Sequence, residues 1–533
     1  MRKTLCIVGG GPAGAGLAWT LAQDPNVASD WSITLIHDED VVGGHCATYD
    51  VVNPVTGKTI PVDIGVQYVS PMINPNVSLM LGETPFTETA PVAEAAPLRV
   101  SCGFPPRDGK PMNWGNFPEY QAGERFALFS EAGMVSDCEN FQSFMHSLLP
   151  WHLGSVTESV GDWLEKPSHP LVNKDDFISY FIDPYMTIIN GYGAPKLDSV
   201  MIGDITPLFA KIPFFPGPMA SLTEPGVGWQ RWTKGSRSWV TTMFDVAAKA
   251  MPVTLVGSTR VEGVWVDAAD PTGQVFVSCK TDLSEAVGYD KVVLTTDMRT
   301  NAKLLNNPKN ASAWNAHYAD PLSAERWSVL QDGTCFIHGD PDVLAPDLQS
   351  LQKEIAQFTA FYSTEGAKPP VPYNTDTTYT SYLVENVHQD PDAKQIYVTM
   401  YGPDATIVKA PKDPLKTKRF VHGLWLPDSM KNSTKALYSA QGTGTIAYGN
   451  RKLPNTGNNL YFAGNNTTMD SVEGALVSSM VIANYAFGVD YPMPYRPLTA
   501  VAYLMYRFLY QGLMFPKVDV GADHEASVVI AQP

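Results

Sequence analysis

Gly9-Gly10-Gly11-Pro12-Ala13-Gly14 stands between an apolar run, Leu5-Cys6-Ile7-Val8, and the helix-forming stretch Ala15 to Ala22. Its GxGxxG spacing has a physical basis. Gly9 permits a tight turn, Gly11 lets the backbone approach a pyrophosphate, and Gly14 lets helix and strand pack closely. Pro12 and Ala13 belong to this turn, and the helix that follows offers its first amides and positive dipole end to the phosphates. A β-branched strand, Ser32 to Ile36, follows at the distance a βαβ unit requires. Such a strand ordinarily ends in an acid that binds the adenosine ribose. Here His37 holds that place and Asp38 comes next, so either the Asp38 carboxylate or a His37 ring nitrogen is expected to take the ribose. An NADP-type arginine is absent there.

The rest of the chain sets bounds on this unit. At 533 residues it is too long for one core, and 44% hydrophobic with 17% charged residues suits a large buried interior. A net charge of −17 repels phosphate backbones and excludes nucleic acid as a partner. Cys6, Cys46, Cys102, Cys138, Cys279 and Cys335 form no CxxC pair and no cluster with histidine, so no metal site is expected. N-x-S/T sequons occur at Asn76, Asn310, Asn432, Asn465 and Asn466. The first strand begins almost at residue 1, which reads as a cytoplasmic chain or one whose leader has been removed.

Composition then divides the chain. Residues 1–70 form the first part of the nucleotide fold. Residues 71–225 are rich in proline and aromatics, among them Phe177, Phe181 and Tyr185 at helical spacing, and read as the first part of a substrate domain. Such a stripe serves a core, and the aromatic density also suits the wall of an apolar cavity. Residues 226–300 return to α/β character, with strands over Val253 to Val256, Val261 to Val266 and Val292 to Leu294. Residues 301–440 alternate short strands and loops, including Cys335 to His338, Thr380 to Asn386 and Ile396 to Tyr401. Residues 441–490 carry a last strand, turn and helix of the nucleotide fold, Asn459 to Ala463, Gly464 and Val472 to Phe487. Residues 491–533 form an apolar helix and tail. Its stretch 498–515 contains Arg507, which opposes a membrane span and leaves packing on the domain or peripheral membrane contact. The fold class expected is α/β: a Rossmann-type domain assembled from discontinuous segments, with an inserted α+β substrate domain.

Further motifs lie at Val42-Gly43-Gly44-His45, Val62-Asp63-Ile64-Gly65, Thr233-Lys234-Gly235-Ser236-Arg237-Ser238-Trp239, Tyr289 to Leu294, and Asn459 to Gly464 followed by Val472-Glu473-Gly474-Ala475. In this order they resemble the flavin-containing amine oxidase superfamily, which includes phytoene desaturases and polyunsaturated fatty acid isomerases. The resemblance implies FAD. It places Gly43 and Gly44 close to the flavin and His45 on the flavin path, where a covalent link is conceivable but non-covalent binding is the default. It puts the Val261 backbone at adenine and Gly464 beside the ribityl chain. Asn465 stands where the family has an acid and would bond a ribityl hydroxyl. The helix starting at Glu473, Gly474 and Ala475 would aim its amides at the flavin N1/C2=O edge. Cys335 to Pro341, Thr380-Ser381-Tyr382 and Tyr397-Val398-Thr399 resemble a subgroup associated with fatty-acid modification. His338 is there either a group near the flavin or a structural histidine.

The expected activity is FAD-dependent hydride abstraction from an apolar, lipid-like small molecule such as a fatty acid, as a double-bond isomerase or desaturase. No catalytic residue is assigned. One of Arg99, Arg107, Arg125 or Arg231 is a candidate for binding a carboxylate. The alternative is an amine or amino-acid oxidase releasing peroxide, with Trp229, Trp232 or Tyr461 as aromatic residues facing the flavin. A flavin-stabilised binding protein is a third reading. No second GxGxxG is present, which argues against a separate NAD(P)H domain.

Overall fold

Leu5 to Val8 lie at the centre of a five-stranded parallel sheet, and their alternation divides two cores. We describe the chain from a computed structural model. It covers residues 2–71, 74–95, 100–103, 114–115, 137, 161, 164, 171–178, 229–266, 273–319, 322, 331–341, 357–361, 378–401, 411–422, 459–464, 467, 471–494, 496, 499 and 503. The sheet consists of β1 (Lys3–Val8), β2 (Trp31–Ile36), β3 (Val253–Val256), β4 (Lys291–Leu294) and β5 (Leu460–Phe462). Their order is β3-β2-β1-β4-β5, so three distant parts of the sequence build one sheet. The fold is α/β.

A parallel strand buried on both faces reads as an unbroken apolar run. Leu5 and Ile7 point into one core, with the helices α1 (Pro12–Ala22), α2 (Arg237–Ala250) and α3 (Val472–Phe487). Cys6 and Val8 point into the other, with Val264, Val275, Val277 and Tyr289 of a small antiparallel sheet. Helix α1 is buried from Pro12 to Leu21. Burying Leu17, Trp19 and Leu21 contributes roughly 1.5–3 kcal/mol for each aliphatic side chain and more for the indole. Small residues let α3 come close: a Cβ on Gly16 would lie 3.0 Å from Leu476 Cδ1. Ser479 Oγ, on α3, donates to the Ala13 carbonyl at 2.6 Å.

A second sheet of seven strands carries Lys416–His422, Gln331–His338, Tyr397–Tyr401, Thr378–Leu383, Gln357–Phe361, Val100–Gly103 and Trp114–Gly115, in that spatial order. The hairpin Thr48–Val52/Thr59–Asp63 packs on it, with Val51, Ile60 and Val62 against Cys335, Ile337, Val398, Met400 and Phe420. A third, small sheet pairs Tyr68–Val69 and Val92–Glu94 on either side of Gln230–Trp232.

Several strand boundaries differ from expectation: Cys335 to His338 is part of the longer strand Gln331–His338, and Asn459 to Ala463 narrows to Leu460–Phe462. The strand expected over Val261 to Val266 begins at Gly263. The stretch Thr380 to Asn386 leaves the sheet after Leu383 and forms a short helix, Val384–His388. Val384 and Val387, three residues apart, both bury in the same core, which needs helical rather than alternating spacing. The aromatic stripe falls outside the described residues except for buried Phe177, and so does 498–515 apart from Thr499 and Tyr503. Among the described residues no helix is long and apolar enough to cross a membrane.

Candidate functional site

The carboxyl ends of β1, β4 and β5 bring the sequence motifs to one place, the crevice where open α/β sheets bind ligands. Gly9 has φ +117, and its amide donates to Ile36 O at 2.9 Å. A Cβ there would meet Thr295 Oγ1 at 2.5 Å. A Cβ on Gly14 would lie 2.2 Å from the Gly9 carbonyl oxygen, so only glycine fits. Gly44, at φ +56, crosses directly over Gly11: its Cβ would stand 2.9 Å from Gly11 Cα. The neighbouring Gly43 amide donates to Gly10 O at 2.9 Å. Gly464, at φ +109, comes in from β5 with Ala13 and Thr295 as its nearest neighbours. The result is a cradle of bare backbone. Helix α1 starts there at Pro12 with no side-chain cap and no acidic residue in its first turn, which leaves its amides for an anion.

Thr295 has a place that the sequence did not single out. Its hydroxyl lies within hydrogen-bond distance of the carbonyls of Val8 and Gly9, at 2.9 and 3.1 Å, and so holds the turn. The signal was present in the pairing level, since Val8 and Leu294 are register partners and Thr295 must then face Gly9. At the end of β2, His37 is buried and Asp38 exposed. The His37 ring crowds the turn, 3.1 Å from a Cβ on Gly10, and burial lowers its pKa against the fields of Asp38 and Glu39. Val261 is buried beside Val8 and Ile36, on the segment whose Thr259 amide donates to His37 O at 2.9 Å.

Asp63 and Ser236, from two separate motifs, meet. The buried carboxylate accepts from Thr48 Oγ1 at 2.6 Å and from Ser236 N and Oγ, both at 2.9 Å, anchoring the start of α2. Burial raises its pKa to about 6 against those hydrogen bonds. The stem of Arg237 then lies over Gly43. His45 sets its ring edge-on to Phe420 at 5.2 Å, and its carbonyl accepts from Val66 N at 2.9 Å.

Glu473 serves a contact that local sequence could not reveal. Its carboxylate accepts from Asn76 N at 3.0 Å, Asn76 Nδ2 at 2.6 Å and Val77 N at 3.1 Å. It thereby pins the helix Pro75–Leu81 onto α3, and burial raises its pKa to about 7. The Gly474 amide goes to its cap, Ser471 Oγ, at 3.0 Å, and the Ala475 amide goes to Ser471 O. The amides expected to face a ligand at positions 474 and 475 are therefore committed within the helix. Asn465 lies outside the described residues.

Other candidates resolve as structural. His338 is fully buried and bonds Thr399 Oγ1 at 2.7 Å, which in turn bonds Ser381 Oγ at 2.7 Å, a ladder across three strands. Burial lowers the His338 pKa to about 4, and the Asp340 amide donates to its Nδ1. Trp232 stacks on Trp239 inside the core, and Tyr461 OH accepts from Lys291 Nζ at 2.8 Å, so neither faces the cradle. Among the described residues no group of acids, histidines or cysteines could hold a metal. The sequon residues Asn76 and Asn310 are buried and hydrogen-bonded, closed to glycosylation in the folded chain.

The fold and its glycine cradle define a Rossmann-type α/β protein with a large second sheet. A family profile described as an NAD(P)-binding Rossmann-like domain matches residues 7–84. No curated protein matches by sequence. Among solved structures the chain is similar to a provisionally named protoporphyrinogen oxidase from Exiguobacterium sp. 255-15, with TM-score 0.55 and 13% identity over 91% of this chain and 99% of that one. A putrescine oxidase aligns with TM-score 0.53 and 14% identity over 92% and 99% of the two chains. The cyclohexylamine oxidase of Brevibacterium oxydans IH-35A aligns with TM-score 0.53 and 10% identity over 91% and 100%. These likenesses support the α/β fold.

Proposed function

We propose that the chain is an FAD-dependent oxidoreductase of the flavin-containing amine oxidase superfamily, acting on an apolar, lipid-like substrate. The observation that carries this reading is the cradle, where the bare backbone of Gly9, Gly11 and Gly44, part-exposed, meets buried Gly464 at the carboxyl ends of three parallel strands. A Cβ at Gly9, Gly14 or Gly44 would fill or distort that space, which fits a bound dinucleotide and little else. Residues 9–14 and the start of α1 would hold the pyrophosphate, the segments at His37 and Val261 the adenosine, and Gly44, His45 and Gly464 the flavin side.

When bound, FAD supplies hydride acceptance at an activated carbon. The protein's own residues orient and enclose. Thr295 fixes the turn, Asp63 fixes α2, and the apolar side chains between the hairpin and the seven-stranded sheet exclude water. Return of the hydride elsewhere on the same chain gives a double-bond isomerase, and transfer of electrons to another acceptor gives a desaturase. Two neighbours are named as amine oxidases, which favours an amine or amino-acid oxidase as the second reading.

Anaerobic mixing of purified protein with a panel of unsaturated fatty acids and a panel of amines separates the two. Flavin bleaching or ultraviolet diene absorbance with the acids is expected. Bleaching by an amine, with peroxide formed on admitting air, contradicts the lipid reading.

A further inference from the structure

Beside the cradle, three side chains on one face of the small sheet carry hydrogen-bond donors. Tyr68 and Arg231 are register partners in the antiparallel pair, so their side chains share a face, and Trp229 stands two residues before Arg231 on the same side. The Tyr68 and Trp229 rings meet at 6.1 Å between centroids, inclined by 71°. Tyr68 Oη and Trp229 Nε1 are both shielded from solvent and have no hydrogen-bond partner, and the same is true of Gln67 Nε2 next in the chain. Buried polar atoms are ordinarily hydrogen-bonded, so the two on this face, Tyr68 Oη and Trp229 Nε1, call for an acceptor. Arg231 is half-buried and donates a single hydrogen bond, to His388 O at 2.7 Å. Among the described residues no carboxylate pairs with it directly; burial lowers its pKa, opposed by the fields of Asp390, Tyr68 and Asp63.

The chemistry of the group is one-sided. An indole N–H, an amide NH2 and a guanidinium only donate, and the phenol donates by preference when its neighbours do. Their complement is an acceptor-only, negatively charged group. Position supplies the context. Val66, two residues before Tyr68, is bonded to the carbonyl of His45, the neighbour of Gly44 in the cradle. On its other side Tyr68 packs against the apolar cluster of the hairpin and the seven-stranded sheet, which contains Tyr382, Val384 and Val387.

We propose that Tyr68, Trp229 and Arg231 form a carboxylate-recognition subsite that receives the acidic head of the apolar substrate. The assignment rests on the oxidoreductase reading for its place beside a flavin, and it adds to that reading the identity of the polar end. It also sets the site against amines, because an ammonium would meet an arginine, a phenol O–H and an indole N–H.

The test is isothermal titration of the full-length, flavin-loaded protein with decanoate, methyl decanoate and decylamine. Decanoate is expected to bind roughly tenfold or more tighter than its ester, since charge-assisted hydrogen bonds are lost on esterification. Tyr68→Phe and Trp229→Phe, which keep the rings and remove one donor each, are expected to weaken decanoate roughly fivefold to tenfold with ester binding unchanged. Arg231→Gln is expected to weaken it further. Equal affinity for acid and ester, or preference for the amine, overturns the proposal. So does loss of bound flavin in the phenylalanine variants with decanoate affinity per loaded site unchanged, because the donors then serve the cofactor. Visible flavin absorbance of the wild-type protein is read on the same samples, so that a chain without FAD defeats the oxidoreductase reading separately from the acid-over-ester comparison. Melting curves of each variant identify a misfolded one, and Tyr68→Phe, the mildest change, carries the test if Arg231→Gln fails to fold.

Discussion

The glycine cradle and the donor face of the small sheet lie close together in the chain path yet are built on opposite plans. The cradle is made of backbone: what matters at Gly9, Gly14 and Gly44 is the space a Cβ would take and the sign of φ. The donor face is made of side chains that meet only because residues 68–69 pair with residues 230–231. Absence of a side chain is a property a residue has alone, so a turn of glycines announces its ligand locally. Convergence of donors is a property of pairing, and it stays invisible until the strands are registered. The two regions should therefore fail in different ways.

The largest effect is expected at the cradle. Gly14→Ala would drive a methyl group into the Gly9 carbonyl, a fixed backbone atom, and alanine has no rotamer to relieve it. Loss of bound FAD and of roughly 3 kcal/mol or more of stability is expected, measured by flavin content and chemical denaturation. A variant that keeps both would break the account of the cradle.

Glu473→Gln comes next and separates fold from site. Burial lifts the Glu473 pKa from its ordinary 4.5 to about 7, so the folded chain keeps a proton that the unfolded chain releases between those values. The stability this group contributes is present below about 4.5 and lost as pH rises through about 7, on the order of 3 kcal/mol. In Glu473→Gln that part of the slope should vanish, leaving a smaller slope of the same sign from Asp63, raised to about 6. Melting temperatures across that pH range check it, and an unchanged slope would show that the carboxylate is not the titrating group.

Gly464→Ala should be milder. Its Cβ would find ordinary contacts, at 3.6 Å from Ala13 Cβ and 3.7 Å from Thr295 O, so the cost is that of φ +109, about 1–3 kcal/mol. FAD affinity should fall while the fold survives, which equilibrium dialysis measures. The smallest effect belongs to Tyr461→Phe, which removes the 2.8 Å bond from Lys291 and about 0.5–1.5 kcal/mol. Its flavin spectrum and FAD affinity should match the wild type; a shifted spectrum would place Tyr461 at the flavin after all.

The same division explains how much the sequence could tell. The βαβ opening, the return of the nucleotide fold near residues 253–294 and the last strand and helix were legible, because each is a run of apolar residues with a glycine turn at its end. Helix Val472–Phe487 has the limits the pattern suggested. The role of Glu473 was not legible: its partners Asn76 and Val77 lie 397 and 396 residues away, and a buried glutamate in a family-like motif looks the same whether it faces a ligand or a helix end. His338 was ambiguous for the same reason, since the hydroxyls of Thr399 and Ser381 reach it only through strand pairing. Arg231 was one arginine among four until the register put Tyr68 opposite it.

One measurement bears most directly on the cradle. The full-length protein, stripped of bound nucleotide, is titrated with FAD and separately with NAD+ and NADP+, following tryptophan fluorescence and visible absorbance. Stoichiometric FAD binding that Gly14→Ala and Gly44→Ala abolish is the expected result. Saturation by a nicotinamide dinucleotide with no uptake of FAD would contradict it.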